Sequence, residues 1–415
     1  MVPFREALAV WLRIAVQSFG GPAGQIAVMH RILVEEKQWL SERKFLHALN
    51  HCMLLPGPEA MQLVTYAGWM LHGVRGGLVA GTLFVLPGFL SILALSYAYV
   101  AYAETTWLSA AFLGLKAAVL ALVIQAAWRL GRRALTNGVA FVIAAGAFVA
   151  MFAFDVPFPL VLAVAALIAW RWGPTPETES QAPPGDWRAS ARTLAVALAI
   201  WWAPVVLLIA WLGASHILVD QGVFFAKAAV VTFGGAYAVL SYIAEQAVAS
   251  GWLTAPQMVD GLGMAESTPG PLIQVVQFVG FMGAFGDPLP FSPWLAALLA
   301  SGLVTWMTFV PSFLFIFAGA PHMDWLASRP KLARAMTGVT AAVVGVIVNL
   351  AAFFGTLVLW PDARQMTTGL VEVLVPSGPM DWVALTLAAG AFVALLRKVP
   401  LAWVLGGSVA IALLV

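Results

Sequence analysis

Apolar runs of about 20 residues recur along most of this chain, which is the length an α-helix needs to cross the hydrocarbon core of a bilayer. Strands of a membrane barrel are only about 10 residues long and alternate apolar with polar positions, a pattern these runs lack. Hydrophobic residues make up 62% of the chain and charged residues 10%, which excludes a soluble globular enzyme. The sequence therefore predicts an all-α integral membrane protein.

Short motifs of the first half recur in the same order in the second half. Phe19-Gly20-Gly21 recurs as Phe233-Gly234-Gly235, and Pro56-Gly57-Pro58 recurs as Pro269-Gly270-Pro271. Ordered repetition of this kind indicates an internal duplication. We divide the chain into an N-terminal membrane repeat (1–172), a Pro-rich cytoplasmic linker (173–192), and an extra span followed by a second membrane repeat (193–415).

The placement of Lys and Arg predicts the orientation of the two copies, because basic loops stay in the cytoplasm. Basic residues surround Trp39 in the first copy, whereas no Lys or Arg occurs between Ala228 and Ser328, around the matching Trp252. The copies are therefore expected to have inverted topology, with interrupted helices near the midplane. The N-terminus should be cytoplasmic and the C-terminus periplasmic, in a multi-pass protein of the bacterial inner membrane.

The expected spans follow from the apolar runs. They lie near residues 77–103, 107–131, 136–153, 156–172, 193–213, 293–318, 331–358, 380–397 and 400–415. Helix pairs interrupted by glycine and proline precede the regular spans of each half. The sequence leaves open whether these pairs dip into the membrane and return or cross it as broken helices.

The repeated breaks are the candidate binding site, because each new helix begins with free main-chain N–H groups and the positive end of its dipole. Broken helices at membrane depth line a cavity or are buried in protein, and converging N-termini suit an anion. The alternative is that these residues only kink packed helices. The predicted contacts from the breaks are Ser18, Phe19, Gly20, Gly21, Gly57, Thr232, Gly234, Gly235, Thr268 and Gly270.

Charged and amide side chains inside apolar segments complete the predicted binding set, since each is costly in lipid. Arg13, Lys116 and Lys227 are expected to attract an anion, although Arg13 and Lys227 could snorkel and Lys116 could pair with Glu59 or Glu266. Those two carboxylates could cap helices, carry a proton or balance the cations. Gln62 and Gln274 could donate amide hydrogens to the substrate or bond between helices.

The sequence contains no cofactor-binding or catalytic motif, so we expect a protein without cofactor or resident metal and not an enzyme. The single cysteine, Cys52, excludes a cysteine-based metal cluster. A net charge of +2 without a basic cluster gives no indication of nucleic-acid binding.

The motifs resemble the chromate ion transporter family in its long, two-domain form. The resemblance rests on Ser18 to Gln25 (SFGGPAGQ), on Met53 to Ala60 (MLLPGPEA) and on Gly77 to Gly88 (GLVAGTLFVLPG), and it extends through Thr232–Tyr237 and Ser267–Pro271. It implies a secondary transporter that exports chromate from the cytoplasm and confers chromate resistance. Leu272 stands where the first copy has Glu59, so the two copies should contribute unequal chemistry.

Export is also the direction that electrostatics favours. Each charge that crosses the membrane potential contributes about 2.3 kcal/mol per 100 mV, so a dianion leaving a negative interior gains about 4.6 kcal/mol. Two alternatives remain open: proton-coupled uptake of sulfate or a related oxyanion, and a passive anion channel. The expected partners are chromate and the membrane lipid, with sulfate and a homodimer as open alternatives.

Overall fold

A computed structural model describes residues 2–19, 21–102, 105–173, 186–233, 236–322, 325, 329–368 and 371–414. Its helices, numbered along the chain, are α1 (Phe4–Gln17), α2 (Gly21–His30), α3 (Glu42–Cys52), α4 (Glu59–Tyr102), α5 (Thr106–Ala134), α6 (Gly138–Phe154), α7 (Phe158–Trp172), α8 (Trp187–Leu212), α9 (Ile217–Val231), α10 (Ala236–Ala249), α11 (Ala255–Ser267), α12 (Val275–Gly286), α13 (Pro293–Gly319), α14 (Pro330–Leu359), α15 (Trp382–Leu396) and α16 (Leu401–Ala412). A π-helical turn, Arg31–Glu36, extends α2, and 3₁₀ turns occupy Leu272–Gln274 and Ala320–His322.

The protein is an all-α membrane protein, as the sequence predicts. Five of the described helices, α4, α5, α8, α13 and α14, are long and apolar enough to cross a membrane. The expected span at 107–131 corresponds to α5, and those at 293–318 and 331–358 correspond to α13 and α14. Some of the helices that flank the Gly-Pro breaks are much shorter: α2 and α12 have 10 and 12 residues.

A two-stranded antiparallel hairpin is the one element of another kind in the described ranges. Its strands, β1 (Arg364–Thr368) and β2 (Val371–Val375), lie between α14 and α15, with Arg364 opposite Val375. Hydropathy does not predict this hairpin, because its ten strand residues form no long apolar run.

Helix α4 is two helical segments that fold back on each other. The chain leaves helical geometry at His72 and at Gly73, whose φ is +61°. A Cβ on Gly68 or on Gly76 would clash with the carbonyl oxygen of the other, so the segments 59–71 and 74–102 are in close contact. Gly77 and Gly81 pack as small residues, but Gly73 forms the turn and has open space beside it. The four-residue spacing of Gly73, Gly77 and Gly81 predicts close helix packing at all three positions, and for Gly73 that prediction is wrong.

Helix α8 begins at Trp187, inside the segment assigned from sequence to the linker and six residues before the expected span. Asp186 accepts hydrogen bonds from the main-chain nitrogens of Arg188 and Ala189, at 2.9 and 3.3 Å, and so caps the helix. An Asp at the N-cap favours helix initiation, so α8 can begin in the polar segment before its apolar part.

The chain divides into two compact units, and each takes segments from both halves. Unit 1 consists of Met1–Ser96, Thr178–Ala236 and Thr268–Arg329. Within it, α13 packs against α8, α9 and α12. The Gly-Pro breaks described by the structure belong to this unit.

Unit 2 consists of Tyr97–Glu177, Tyr237–Ser267 and Pro330–Val415. Helix α14 packs against α5, α6 and α7, while α5 also contacts α11, α15 and α16. A core of small and branched side chains, including Ala118, Leu122, Leu395 and Val404, fills the space between α5, α15 and α16.

Candidate functional site

Two main-chain hydrogen bonds join each half of unit 1 to the break of the other half. The amide of Gly57 donates to the carbonyl oxygen of Thr232 at 2.7 Å, and the amide of Gly270 donates to that of Ser18 at 2.9 Å. Thr232 and Ser18 are the residues that end α9 and α1. The repeated breaks are thus brought together in two pairs, which we name the Gly57 corner (Gly57, Gln62, Thr232, Ser312) and the Gly270 corner (Ser18, Gln25, Gly88, Gly270).

Glycine is required at the centre of each corner. Gly57 has a φ of +126° and Gly270 a φ of +108°, a region that L side chains rarely adopt. Both are flanked by prolines, which have no main-chain N–H, so each glycine supplies the single main-chain donor of its Pro-Gly-Pro segment. That donor makes the bond to the opposite half.

Helix α13 contacts both corners. Ser312 lies at the Gly57 corner, where a Cβ built on Gly57 would be 3.3 Å from its hydroxyl oxygen. Thr305, seven residues earlier, accepts a hydrogen bond of 3.1 Å from the amide of Gln274, which follows Pro271. Seven residues of helix correspond to about 10 Å, so the corners are separated by about two turns of α13.

The hydroxyl protons of Ser18 and Thr232 are already used within their own helices. Ser18 donates to the carbonyl oxygen of Ile14 at 2.7 Å, and Thr232 donates to that of Ala228 at 2.6 Å. Both side chains are buried. In this arrangement their hydroxyl oxygens can still accept hydrogen bonds, but their protons are not free to be donated to a substrate.

Buried amides support the corners. Gln25 donates to the carbonyl oxygen of Gly270 at 2.7 Å, and Gln62 donates to that of Pro56 at 2.5 Å. Gln274 also donates to Gln277 at 2.6 Å, and Gln277 donates to the carbonyl oxygen of Phe89 at 3.0 Å. Gln25 was not among the predicted site residues, although it lies in the motif that follows the first break.

Two of the three predicted cations form ion pairs with residues outside the corners, and the third is exposed. Arg13 forms an ion pair of 2.7 Å with Glu36, in an exposed position. Lys116, in unit 2, forms one of 2.9 Å with Asp260. Lys227 lies on the exposed side of α9.

The ion pair of Lys116 corrects its expected partner from Glu59 or Glu266 to Asp260. Asp260 is buried on α11 and also accepts a hydrogen bond of 2.9 Å from the hydroxyl of Tyr99. Sequence reasoning missed it because an acid on a short helix 144 positions away gives no local signal of the pairing.

The two predicted carboxylates lie in different surroundings. Glu59 is the first residue of α4, directly after Pro58, where an acid is favourable to the helix dipole. Glu266 is buried in unit 2 and accepts a hydrogen bond from the hydroxyl of Tyr237.

Of the remaining predicted contacts, Phe19 is half exposed, Gly21 begins α2 with a φ of +70°, and Thr268 is buried before the second Pro-Gly-Pro segment. Gly20, Gly234 and Gly235 lie outside the described residues.

The ring nitrogens of His30 lie 3.1 Å from a carboxylate oxygen of Glu35 and 2.6 Å from one of Glu42. The described part of the chain contains no group of three or more His, Cys, Asp or Glu suited to a metal ion.

Comparison with known proteins gives consistent matches over most of the chain. The family model described as "Chromate transporter" matches residues 5–170 and 219–413, one region in each half. A chromate transport protein of Cupriavidus metallidurans is 31% identical over 346 residues, which cover 83% of this chain and 80% of the relative. Another, of Pseudomonas aeruginosa, is 33% identical over 352 residues, covering 83% of this chain and 79% of the relative.

A probable chromate transport protein of Synechococcus elongatus is 28% identical over 377 residues, which cover 89% of each chain. No solved structure matches the chain significantly. The family match spans both halves and includes both Pro-Gly-Pro segments, around which the two corners are built. The chain belongs to the chromate transporter family.

Proposed function

We propose that this protein is a secondary transporter that exports chromate from the cytoplasm across the inner membrane and so confers chromate resistance. The observation that carries the proposal is the pair of reciprocal hydrogen bonds, Gly57 to Thr232 and Gly270 to Ser18. They bring broken helices from both halves into one unit of a protein whose relatives are named chromate transport proteins. Broken helices that meet in this way are the sites of substrate binding in many secondary transporters.

The membrane topology is part of the proposal. Inverted repeats at 1–172 and 193–415, joined by a cytoplasmic linker at 173–192, agree with the order of helices around the matched motifs and with the distribution of Lys and Arg. This topology places the N-terminus in the cytoplasm and the C-terminus in the periplasm.

The proposed substrate contacts are those of the sequence analysis, with the corners as their centre. Main-chain groups at Gly57, Gly270 and Gly21 would approach the ion, with the buried amides of Gln62 and Gln274 beside them. Arg13, Lys116 and Lys227 would contribute positive charge; Arg13 is paired with Glu36 and Lys116 with Asp260.

Proton-coupled uptake of an oxyanion such as sulfate is the second candidate. It is favoured by the buried acids of unit 2, Asp260 beside Lys116 and Tyr99, and Glu266 beside Tyr237. Ionisable groups inside a membrane protein often carry coupled protons. A passive anion channel is the third possibility.

Flux measurements in everted membrane vesicles test these functions. Vesicles that contain the protein should accumulate labelled chromate, an interior-positive potential should accelerate this, and sulfate should compete. Accumulation that requires an opposite potential or an inward proton gradient in right-side-out vesicles would support uptake instead. A current that grows linearly with chromate concentration and never saturates would indicate a channel. Vesicles without the protein are the control.

A further inference from the structure

The Gly57 corner contains buried polar atoms whose hydrogen-bonding capacity is unused. Of the corner residues, the hydroxyl oxygen of Ser312 and the amide oxygen of Gln62 have no hydrogen-bond partner among the described residues. The same holds for the hydroxyl oxygens of Thr308 and Thr65, which lie one helical turn away on the same two helices. The four side chains are 0–3% exposed. An unpaired buried polar group is costly, so two such groups at the corner, with two more in the adjacent helical turns, indicate a ligand.

These four groups come from two helical faces. Ser312 and Thr308 are one turn apart on α13, and Gln62 and Thr65 are one turn apart on the first segment of α4. Gly57 connects the faces, because a Cβ built on it would lie 2.6 Å from the amide nitrogen of Gln62 and 3.3 Å from the hydroxyl oxygen of Ser312. The side chains of Gln62 and Ser312 therefore approach the main chain of Gly57 directly, at the place where any other residue would have its Cβ.

In the Gly270 corner, the position that corresponds to Ser312 is Gly88, which has no side chain. Gly88 follows Pro87 in α4 as Ser312 follows Pro311 in α13. A Cβ on Gly88 would lie 3.0 Å from the carbonyl oxygen of Pro269, so the chains are in direct contact there and no side chain can point between them. The two related corners thus differ at the residue after the helix proline: Ser312 carries a hydroxyl, and Gly88 has no side chain.

The chemistry of the Gly57 corner specifies the charge of its ligand. Three hydroxyls can donate to anion oxygens, whereas the Gln62 amide oxygen, like any carboxamide oxygen, only accepts. The amide nitrogen of Gln62 donates to the carbonyl oxygen of Pro56. Within this set no side chain is positively charged, and α13 has no charged residue between Pro293 and Gly319. A pocket of neutral groups holds a monoanion at far lower cost than a dianion.

We propose that the Gly57 corner binds a tetrahedral oxyanion in its singly protonated form, with Ser312, Thr308 and Thr65 donating to its oxygens and Gln62 accepting its proton. This inference rests on the proposed function and specifies its substrate. Chromate takes up a proton near neutral pH, whereas sulfate does so only in strong acid. The corner would thereby distinguish chromate from sulfate, which has the same shape and charge, because chromate is the stronger base.

The charged groups on the helices that form or pack against the corner are Glu59 and Arg75 on α4, Asp220 and Lys227 on α9, and Arg188 and Arg192 on α8, and all but Glu59 are exposed. Of these, Glu59 is closest in sequence to Gly57 and could itself exchange a proton. A test must therefore distinguish a proton on the ion from a proton on Glu59.

Binding of chromate and of sulfate to the purified full-length protein should be measured from about pH 6 to about pH 8, where a bound proton gives about a tenfold change in affinity per pH unit above the pKa of the ion. Chromate affinity should fall as the pH rises, in the wild type and in Glu59→Gln alike, while sulfate affinity stays below that of chromate at the lowest pH and does not change with pH. Parallel changes for both ions, or loss of the slope in Glu59→Gln, would assign the proton to the protein and overturn the proposal.

A matched pair of serines on α13 tests the location. Ser312→Ala should weaken chromate binding about tenfold, and Ser312→Thr should restore most of it. Ser301→Ala should change it less than about twofold, because the Ser301 hydroxyl is buried but already bonded to the carbonyl oxygen of Ala297. Equal binding by the two alanine variants would overturn the assignment of the site. A wild type that binds no chromate at any pH would instead refute the proposed function.

Discussion

The ammonium nitrogen of Lys116 lies 2.9 Å from a carboxylate oxygen of Asp260, near the middle of α5. The pair sits beside the close contact of α5 with α11, where a Cβ on Gly263 would be 3.1 Å from the side chain of Leu115. Tyr99 donates a hydrogen bond to the other oxygen of the same carboxylate. The charge of a cation deep in an apolar helix is thus balanced within unit 2.

Lys116→Met is expected to destabilise the protein by about 3 kcal/mol, because it leaves Asp260 buried without its counter-ion. The double variant Lys116→Met/Asp260→Leu should recover most of that loss, since it removes both charges. Thermal unfolding in detergent measures both effects. Lys227→Met, at an exposed cation, is the control and should change stability by less than about 0.5 kcal/mol. A double variant no more stable than the single one would contradict this account of the pair.

Gly57→Ala should impair both stability and chromate transport. Its φ of +126° and the nearby amide of Gln62 leave no place for a methyl group, and strain of this kind costs about 1–3 kcal/mol. Gly146→Ala, in α6 with open space around it, should be neutral or stabilising. The melting temperature and the initial rate of chromate flux are the measurements. Equal behaviour of the two variants would show that the corner tolerates a side chain.

Gln25→Leu should reduce chromate flux by weakening the Gly270 corner. The substitution keeps the size of the side chain but leaves the carbonyl oxygen of Gly270 without this donor, at a cost of about 1–3 kcal/mol. Gln246→Leu, an exposed position on α10, serves as the control. Flux should be compared at equal amounts of folded protein, so that a loss of expression is not read as a loss of transport. Wild-type flux in Gln25→Leu would refute the supporting role of this amide.

Gly345→Val should destabilise unit 2 without altering either corner directly. A Cβ at Gly345 would clash with the carbonyl oxygen of Ala144, so α14 and α6 would have to separate. Overpacking of this kind costs about 1–3 kcal/mol. Gly390→Val, on α15 with open space around it, is the matched substitution. We expect a lower melting temperature for Gly345→Val alone, and similar values for the two would contradict the close packing of α14 on α6.

The long helices could be predicted from the sequence because their apolar runs exceed what any soluble fold could bury. The expected span at 107–131 differs from α5 by only one to three residues at each end. The start of α8 was missed because the capping residue Asp186 lies in a polar segment. Hydropathy reports the lipid-facing part of a helix and not its polar extension.

The repeated breaks could also be found from the sequence, but not what they contact. Gly57 and Gly270 are recognisable because only glycine between two prolines provides a donor there. The pairing of Gly57 with Thr232, and of Lys116 with Asp260, depends on how distant segments pack. Ser312 carries no sequence signal at all, since a serine in an apolar helix usually bonds to its own backbone, as Ser301 does.

The crossed bonds of the two corners make each half of unit 1 dependent on the other. A main-chain donor at Gly57 finds its acceptor only beyond the linker, and the same holds in reverse for Gly270. A fragment that ends at the linker would expose an unpaired amide at its most constrained turn. Such a fragment would need a second copy of itself to supply an acceptor for the amide of Gly57.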